Sequence, residues 1–204
     1  MARGPQYRVP YRRRREGKTD YRKRKALVIS GKPRLVVRGS LKNVTVQVII
    51  AKPQGDEVLV SAHSRELIKK YGWKAHGGNV PAAYLTGLLC GLKAKTKGLD
   101  EVVPDIGLHS PTKGARVFAA LKGVLDAGLN VPCDEEKLPD EKRIKGENIA
   151  QYAKSLSADA EKYAAFFSAY LKNNVKPESL PEHFMEVKKA VVSAFKGGGK
   201  KRGG

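Results

Sequence analysis

The side chains best suited to chemistry lie near the N-terminus, where arginines and tyrosines are interleaved. Four consecutive arginines, Arg12–Arg15, are flanked by Tyr7, Tyr11 and Tyr21. A guanidinium offers a planar fork of N–H donors that fits a phosphate, and a tyrosine ring can stack on an unpaired base. The pattern therefore indicates contact with RNA. The alternative is a solvated charge run or a nuclear-localisation segment, for which the interleaved tyrosines would have no role.

The charge of the chain is concentrated in the same segment. Residues 1–25 hold eleven basic and two acidic residues, a net +9 out of +20 for all 204 residues. Self-repulsion on this scale is normally tolerated when a polyanion supplies the counter-charge, and such a segment is expected to be unfolded until it meets that partner. Its candidate RNA contacts are Arg3, Tyr7, Arg8, Tyr11, Arg12, Arg13, Arg14, Arg15, Lys18, Tyr21, Arg22 and Arg24.

Two further surfaces could bind RNA. The first lies at one end of a predicted sheet and consists of Lys32, Arg34, Arg38, Ser40, Lys42 and Asn43. Arg34 and Arg38 are four residues apart, so alternation along a strand puts both on one face. An ordinary exposed strand face is the alternative for this set. The second is Lys113 with Arg116, in a loop that opens a helix, where the helix N-terminus could help to hold a phosphate.

The motifs of enzymes and metal sites fail on inspection. Gly17, Lys18 and Thr19 end like a P-loop, but the glycine required five positions earlier is Arg12. Asp100, Glu101 and Asp105 could suggest a metal-dependent nuclease. They fall within one strand length, however, and no further carboxylate is clearly placed elsewhere on the sheet to complete a metal site. Solvated carboxylates at a strand end are the simpler interpretation. We expect no catalytic residues, no metal and no cofactor.

The cysteines and the hydropathy of the sequence bear on disulfides, zinc sites and membrane segments. Cys90 and Cys133 are far apart, which favours two small buried apolar residues over a disulfide or a zinc site. No run of eighteen apolar residues and no signal-peptide pattern occurs, and there is no basic amphipathic helix with a broad aromatic face. We therefore expect a cytoplasmic protein with no membrane partner.

The elements that position these side chains follow from hydrophobic periodicity. A basic helix is predicted to begin after Thr19 as its N-cap and to end at Gly31. Alternation in Val44, Val46, Val48 and Ile50 predicts a strand with one buried face, between shorter strands at 35–38 and 57–62. A brief helix over 64–71, a helix containing Leu85 and Leu89, a strand over 102–106 and a helix from Val117 to Leu125 follow.

The predicted order of three antiparallel strands, helix, strand and helix is an α/β fold, a two-layer core with a mixed sheet. From about Pro132 the chain turns acidic and helical, with aromatic stripes. The predicted division is a basic arm with the start of the first helix at 1–25, an α/β core at 26–132, a helical appendage at 133–195 and a flexible basic tail at 196–204.

Several longer stretches resemble one known family. They are GPQYRVPYRRRREGKTDYRKR, GKPRLVVRGSLKNVTVQVI, SAHSREL, YGWKAHGGNVPAAYLTGLLCGLKA and DIGLHSPTKGARVFAALKGVLDAGLNVP, which cover most of residues 4–132. Together they resemble the universal 5S-rRNA-binding protein of the large ribosomal subunit in its archaeal and eukaryotic form, the eighteenth large-subunit protein in bacterial counting.

The resemblance implies a structural protein of the cytoplasmic ribosome, with a ribonuclease-H-like layout and no catalytic carboxylates. It implies binding to 5S rRNA and adjacent large-subunit rRNA, anchoring in the central protuberance, and contact with neighbouring ribosomal proteins, including another 5S-binding protein. The arm, the segment from Lys32 to Asn43 and the loop around Lys113 would contact RNA. The alternatives from other classes are a different RNA-binding protein and a metal-dependent nuclease of ribonuclease-H-like fold.

Overall fold

The computed structural model describes residues 4–196 and has one mixed sheet surrounded by helices. The strands are β1 (Arg34–Gly39), β2 (Val44–Lys52), β3 (Gly55–His63) and β4 (Val103–Asp105). The α-helices of this part of the chain are α1 (Arg12–Arg15), α2 (Tyr21–Ile29), α3 (Ser64–Tyr71), α4 (Val80–Lys95), α5 (Arg116–Asp126), α6 (Glu141–Lys145), α7 (Glu147–Leu156), α8 (Ala160–Phe166), α9 (Ser168–Lys172) and α10 (Leu180–Lys196).

The sheet has the order β3-β2-β1-β4, with the first three strands antiparallel and β4 parallel to β1. The predicted α/β class and the three consecutive antiparallel strands are confirmed. A parallel neighbour needs a crossover connection, which α3 and α4 supply between β3 and β4. Leu35 pairs with Val48 and Val37 with Val46, so one face of β1 and β2 is uniformly apolar.

This inner face packs on α4, and α5 packs on α4 in turn. The two helices approach closely because each carries a glycine at the crossing. An ideal Cβ on Gly87 would lie 2.0 Å from the carbonyl oxygen of Ala120, and one on Gly123 would lie 2.2 Å from that of Tyr84. Any side chain at these positions would push the helix backbones apart, so the glycines set the distance between the two helices.

The outer face of the sheet is also covered, which differs from the prediction of one buried face. Half-buried Tyr21, Arg24 and Leu27 recur at three-residue steps along α2. Leu27 lines the same cleft as Val36 and Ile49, which are 7% and 8% exposed. Alternation predicts that Ile50 is buried, yet it is only half-buried, and the pairing with β3 is irregular between Val48 and Ile49.

The start of α2 corrects one predicted cap. Asp20, not Thr19, is the N-cap, because its Oδ1 accepts hydrogen bonds from the backbone N–H groups of Arg22 and Lys23 at 3.0 and 3.2 Å. The hydroxyl of Thr19 instead accepts from Nε of Arg13 at 2.8 Å. Thr19 therefore joins α1 to the start of α2, while Asp20 satisfies two of the free donors of the helix.

The helices after residue 132 contribute side chains to the same hydrophobic core as the sheet and α4. Leu180, Phe184, Val187 and Val191 on α10 are at most 3% exposed and belong to the same apolar cluster as the sheet. The cluster is closed by Trp73, which is fully buried, donates to the carbonyl of His76 and stacks on His183. Cys90 is buried as predicted, whereas the prediction for Cys133 is wrong: it is half-buried.

Candidate RNA interface

The N-terminal arm is bent back on itself by a single helical turn. Arg12–Arg15 form α1, none of whose residues is buried, and the ring of Tyr11 lies 5.2 Å from that of Tyr21. Glu16 forms ion pairs with Arg12 and Lys18 at 3.6 and 2.9 Å. These contacts give residues 11–21 a defined path. That the arm is unfolded until it meets its partner stays a prediction.

The arginines of the arm differ in how they are paired. In the range 4–196, Arg8, Arg14, Arg15 and Arg22 have no carboxylate partner within ion-pair distance. All four are exposed, as are Tyr7 at 46% and Tyr11 at 74%. An exposed guanidinium without an internal partner keeps all five donors for a phosphate. Arg3 lies outside the described residues.

Behind the arm, α2 and the outer face of the sheet enclose a cleft of about 950 Å³. Its basic lining comes from both walls: Arg13, Lys18, Lys23 and Arg24 from the arm and α2, Arg34 and Arg38 from β1. Three carboxylates, those of Asp20, Asp56 and Asp105, also face it. The cleft is therefore positive by three charges.

Three of these arginines and two of the carboxylates form one continuous ion-pair chain. Arg24 donates to Asp56 through its two terminal nitrogens, Nη1 and Nη2, at 2.9 and 2.8 Å, and Arg34 donates to the same carboxylate at 2.8 Å. Arg34 then reaches Asp105 at 2.9 Å, and Arg38 binds the other oxygen of Asp105 at 2.8 Å. The chain ties α2, β3, β1 and β4 together across the sheet.

The charges of the outer pair are mutually stabilised. The hydrogen bond from Arg24 lowers the pKa of Asp56 despite partial burial, and that from Asp56 raises the pKa of Arg24. Both groups therefore stay ionised over the whole neutral range. Arg24 still has 38% of its side chain exposed, so it can exchange its carboxylate for a phosphate more readily than a buried arginine can.

Arg34 is buried, which excludes for this residue the alternative of an ordinary exposed strand face. Its side chain is 3% exposed, because β1 lies between β2 and β4 and the guanidinium is held between Asp56 and Asp105. Arg34 and Arg38 do share a face, and Arg38 is 45% exposed at the open end of the cleft. The solvated strand end predicted for Asp105 is wrong: its side chain is 9% exposed and accepts from both arginines and from the N–H of Gly107.

The surface predicted around Lys113 and Arg116 lies where the β1–β2 loop, the α3–α4 loop and the loop before α5 meet. Nη1 of Arg116 donates to the carbonyls of Ser40 and Gly78 at 3.0 and 2.8 Å, so this side chain joins the β1–β2 loop to the α3–α4 loop. Asn43 is half-buried, and its side-chain oxygen accepts from Ser64 at 3.2 Å.

Two exposed lysines stand close in the chain to the residues of this junction: Lys42 is next to Asn43, and Lys113 is three residues before Arg116. At the other end of the sheet Lys32 pairs with Glu101 at 2.5 Å. The structure therefore brings Ser40, Lys42, Asn43 and Arg116 together and leaves Lys32 apart from them.

Comparison with known proteins identifies the family. A family model described as "Ribosomal large subunit proteins 60S L5, and 50S L18" matches residues 5–104 and 95–134. The chain is 55% identical to the large ribosomal subunit protein uL18 of Staphylothermus marinus over 197 residues, which cover 96% of this chain and 98% of the relative. It is 57% identical to the protein of the same name from Aeropyrum pernix, over 96% of this chain and 92% of the relative.

The chain belongs to this family of large-subunit ribosomal proteins. It is a structural component of the ribosome, with rRNA and ribosomal proteins as its partners, and not an enzyme. The nuclease alternative is thereby set aside, and the geometry agrees, because both oxygens of the Asp105 carboxylate are bound by arginines. None of the helices within residues 4–196 is long and apolar enough to cross a membrane.

The residues that reasoning from the sequence missed are the acidic partners in the cleft. In the sequence, Asp56 has the features of a turn residue and Asp105 those of a strand end. Their partners Arg24 and Arg34 lie 32 and 71 residues away, respectively. No local spacing signals such pairs. His109, which also lines the cleft, stands alone in the sequence and gives no signal either.

Proposed function

We propose that the chain binds 5S rRNA together with adjacent large-subunit rRNA, and that it helps to anchor the 5S rRNA in the central protuberance. The neighbouring proteins there would include another 5S-binding protein. The observation that carries the proposal is the exposed set of arginines without internal partners on the arm, beside a cleft that is itself positive. Family membership supports the choice of partner.

The proposed mechanism is electrostatic capture followed by fitting of shape. The arm at 1–25 meets the RNA, and the core at 26–132 serves as its scaffold. Each neutralised phosphate releases about one counterion, so six to eight contacts would make affinity fall by orders of magnitude between low and moderate salt. Because A-form RNA hides its base edges in a deep groove, selectivity would come from loops, 2′-hydroxyls and overall shape.

The cationic residues divide into two groups in this proposal. Arg8, Arg14, Arg15 and Arg22 on the arm contact phosphates directly, as do Lys42 and Lys113 beside the loop junction. Arg34 instead holds the sheet and α2 together, since its guanidinium is buried between two carboxylates. Arg24 and Arg38 are partly exposed and can add contacts at the edges of the cleft. Tyr7 and Tyr11 offer exposed rings for stacking on unpaired bases.

The test is selective binding of the full chain to 5S rRNA. We expect the in-vitro-transcribed 5S rRNA to bind at least about a hundredfold more tightly at physiological salt than an unrelated folded RNA of equal length. Filter binding or fluorescence anisotropy measures both constants. Equal affinity for the two RNAs would contradict the assignment to 5S rRNA, while loss of binding to both would contradict the RNA interface itself.

A further inference from the structure

The tip of the β1–β2 loop carries the most exposed large apolar side chain among those of the described residues. Leu41 is 89% exposed and sits between Ser40 and Lys42. Single exposed apolar residues are common on protein surfaces and need no explanation alone. The surroundings of Leu41 make it different, because the loop that presents it is fixed from several sides.

The loop is held by its own hydrogen bonds and by Ser64, the first residue of α3. The backbone N–H of Ser40 donates to the carbonyl of Asn43 at 2.8 Å, and the Ser40 hydroxyl accepts from the Asn43 N–H at 3.0 Å. The Asn43 side chain is held by Ser64, whose hydroxyl also accepts from the N–H of Val44 at 3.2 Å. The turn therefore has little freedom to withdraw Leu41 from solvent.

The same loop is packed against glycines of the α3–α4 loop. An ideal Cβ on Gly78 would lie 2.7 Å from the carbonyl oxygen of Leu41, and one on Gly77 would lie 3.0 Å from that of Lys42. Arg116 closes the third side by donating to the carbonyls of Ser40 and Gly78. The β1–β2 loop is therefore held by the α3–α4 loop and by the start of α5.

The rim of this tip is positive. Lys42 follows Leu41 directly, Lys113 is exposed three residues before Arg116, and both Arg116 and Lys42 add to burial in lowering the pKa of the nearby His76. An apolar group surrounded by cations complements a nucleotide, whose base and ribose offer flat apolar surface next to a phosphate. A tip that is already ordered loses little conformational entropy when it binds.

We propose that Leu41 packs against an unpaired base or ribose of 5S rRNA, and that Arg116 positions this contact by clamping the loop without itself binding phosphate. The inference rests on the proposed function and deepens it. It separates an apolar contact from the electrostatic contacts of the arm, and it reassigns Arg116 from an RNA ligand to a positioning residue.

The first test compares Leu41→Ala with Ile68→Ala in the full chain, using in-vitro-transcribed 5S rRNA. Both residues are exposed, Ile68 at 45% on α3, so both variants should melt like the wild type. We expect Leu41→Ala to weaken binding roughly tenfold with an unchanged salt slope, because an apolar contact releases no counterion. Ile68→Ala should bind normally, and Lys42→Ala should lower the slope by about one.

The second test is a double-mutant cycle between Leu41→Ala and Arg116→Gln. If Arg116 acts through the loop, Arg116→Gln weakens binding with an unchanged salt slope, and adding Leu41→Ala has little further effect. A lower salt slope with additive losses would show that Arg116 binds phosphate directly, which overturns its positioning role.

One result overturns the contact at Leu41 and leaves the proposed function standing. In that result Leu41→Ala binds 5S rRNA with normal affinity under conditions where Arg14→Ala/Arg15→Ala binds weakly. The contact with RNA is then refuted even if Leu41→Ala no longer binds a neighbouring ribosomal protein. If the wild type itself does not bind 5S rRNA, the proposed function fails instead.

Discussion

Removing the charge of Asp105 should destabilise the protein strongly, although the residue looks like a strand end in the sequence. The substitution Asp105→Asn keeps the size of the side chain and one carbonyl oxygen. It removes the carboxylate that binds buried Arg34 at 2.9 Å and Arg38 at 2.8 Å. The Arg34 side chain is only 3% exposed, and its Nε already lacks a hydrogen-bond partner. Water therefore cannot replace the hydrogen bonds that the carboxylate accepts from Arg34.

The magnitude follows from the burial of both partners. Removing one member of a buried ion pair typically costs 3–5 kcal/mol, because the remaining charge is left without compensation. Arg34 retains Asp56 at 2.8 Å, so we expect the lower end, about 3 kcal/mol. For a chain of this length that corresponds to a drop in melting temperature of roughly 6–12 °C.

The assay is thermal and urea unfolding followed by circular dichroism, with Glu101→Gln as the matched control. Glu101 also loses one charge and one pairing with a cation, Lys32, but both side chains are more than 40% exposed. The control should therefore change the free energy of unfolding by less than about 1 kcal/mol. If Asp105→Asn is no more destabilising than Glu101→Gln, the buried network does not hold the sheet and α2 together.

Three other perturbations probe separate parts of the fold. Gly87→Ala should destabilise the protein by roughly 2 kcal/mol in urea unfolding, although alanine favours helices, because its Cβ would meet the carbonyl of Ala120. Burial lowers the pKa of His183, so the contribution of this group to stability should be constant well above pH 6.5 and be lost as pH falls from about 6.5 through the lower folded pKa; His183→Gln should reduce the pH dependence of melting curves taken between pH 7 and 5. Asp56→Asn should release Arg24 and make trypsin cleave α2 severalfold faster, with a loss of roughly 1–3 kcal/mol, because the Arg24 pair is partly exposed but Arg34, the second partner of Asp56, is buried.

Each of these expectations has a clear contrary result. Gly39→Ala is the control for the first, because a Cβ there would meet only the Arg116 side chain at 3.6 Å; equal stabilities of the two variants would contradict the close helix packing. An unchanged pH dependence in His183→Gln would contradict the effect of burial on this histidine. Unaltered trypsin cleavage of Asp56→Asn would mean that α2 is held by other contacts.

Local periodicity predicts most of the elements, because burial repeats at fixed spacing within each one. The alternation of Val44, Val46 and Val48 predicts β2, and its partner strands follow from the turns on either side. The spacing of Leu85 and Leu89 likewise predicts α4, 12 of whose 16 residues are buried. These predictions need no knowledge of what the element packs against.

What the sequence does not reveal is the contact of α2 with the outer face of the sheet. The burial of Arg34 is not visible in the sequence, because it depends on the pairing of Arg24 with Asp56, 32 residues apart, which brings α2 across β1. Likewise, Thr19 and Asp20 are both of a type that caps helices, and the helix geometry selects Asp20. Long-range ion pairs leave no periodic trace, so composition predicts the basic arm but not the ion-pair chain beside it.

The most direct test of the central claim, that the arm binds RNA through its arginines without internal partners, is the salt dependence of 5S rRNA binding. Arg14→Ala/Arg15→Ala should lower the slope of log K against log salt by roughly 1.5, because two phosphate contacts are lost. The control Lys69→Ala/Lys70→Ala removes two exposed charges from α3 and should leave the slope near that of the wild type. Equal slopes for the two double variants would contradict the claim.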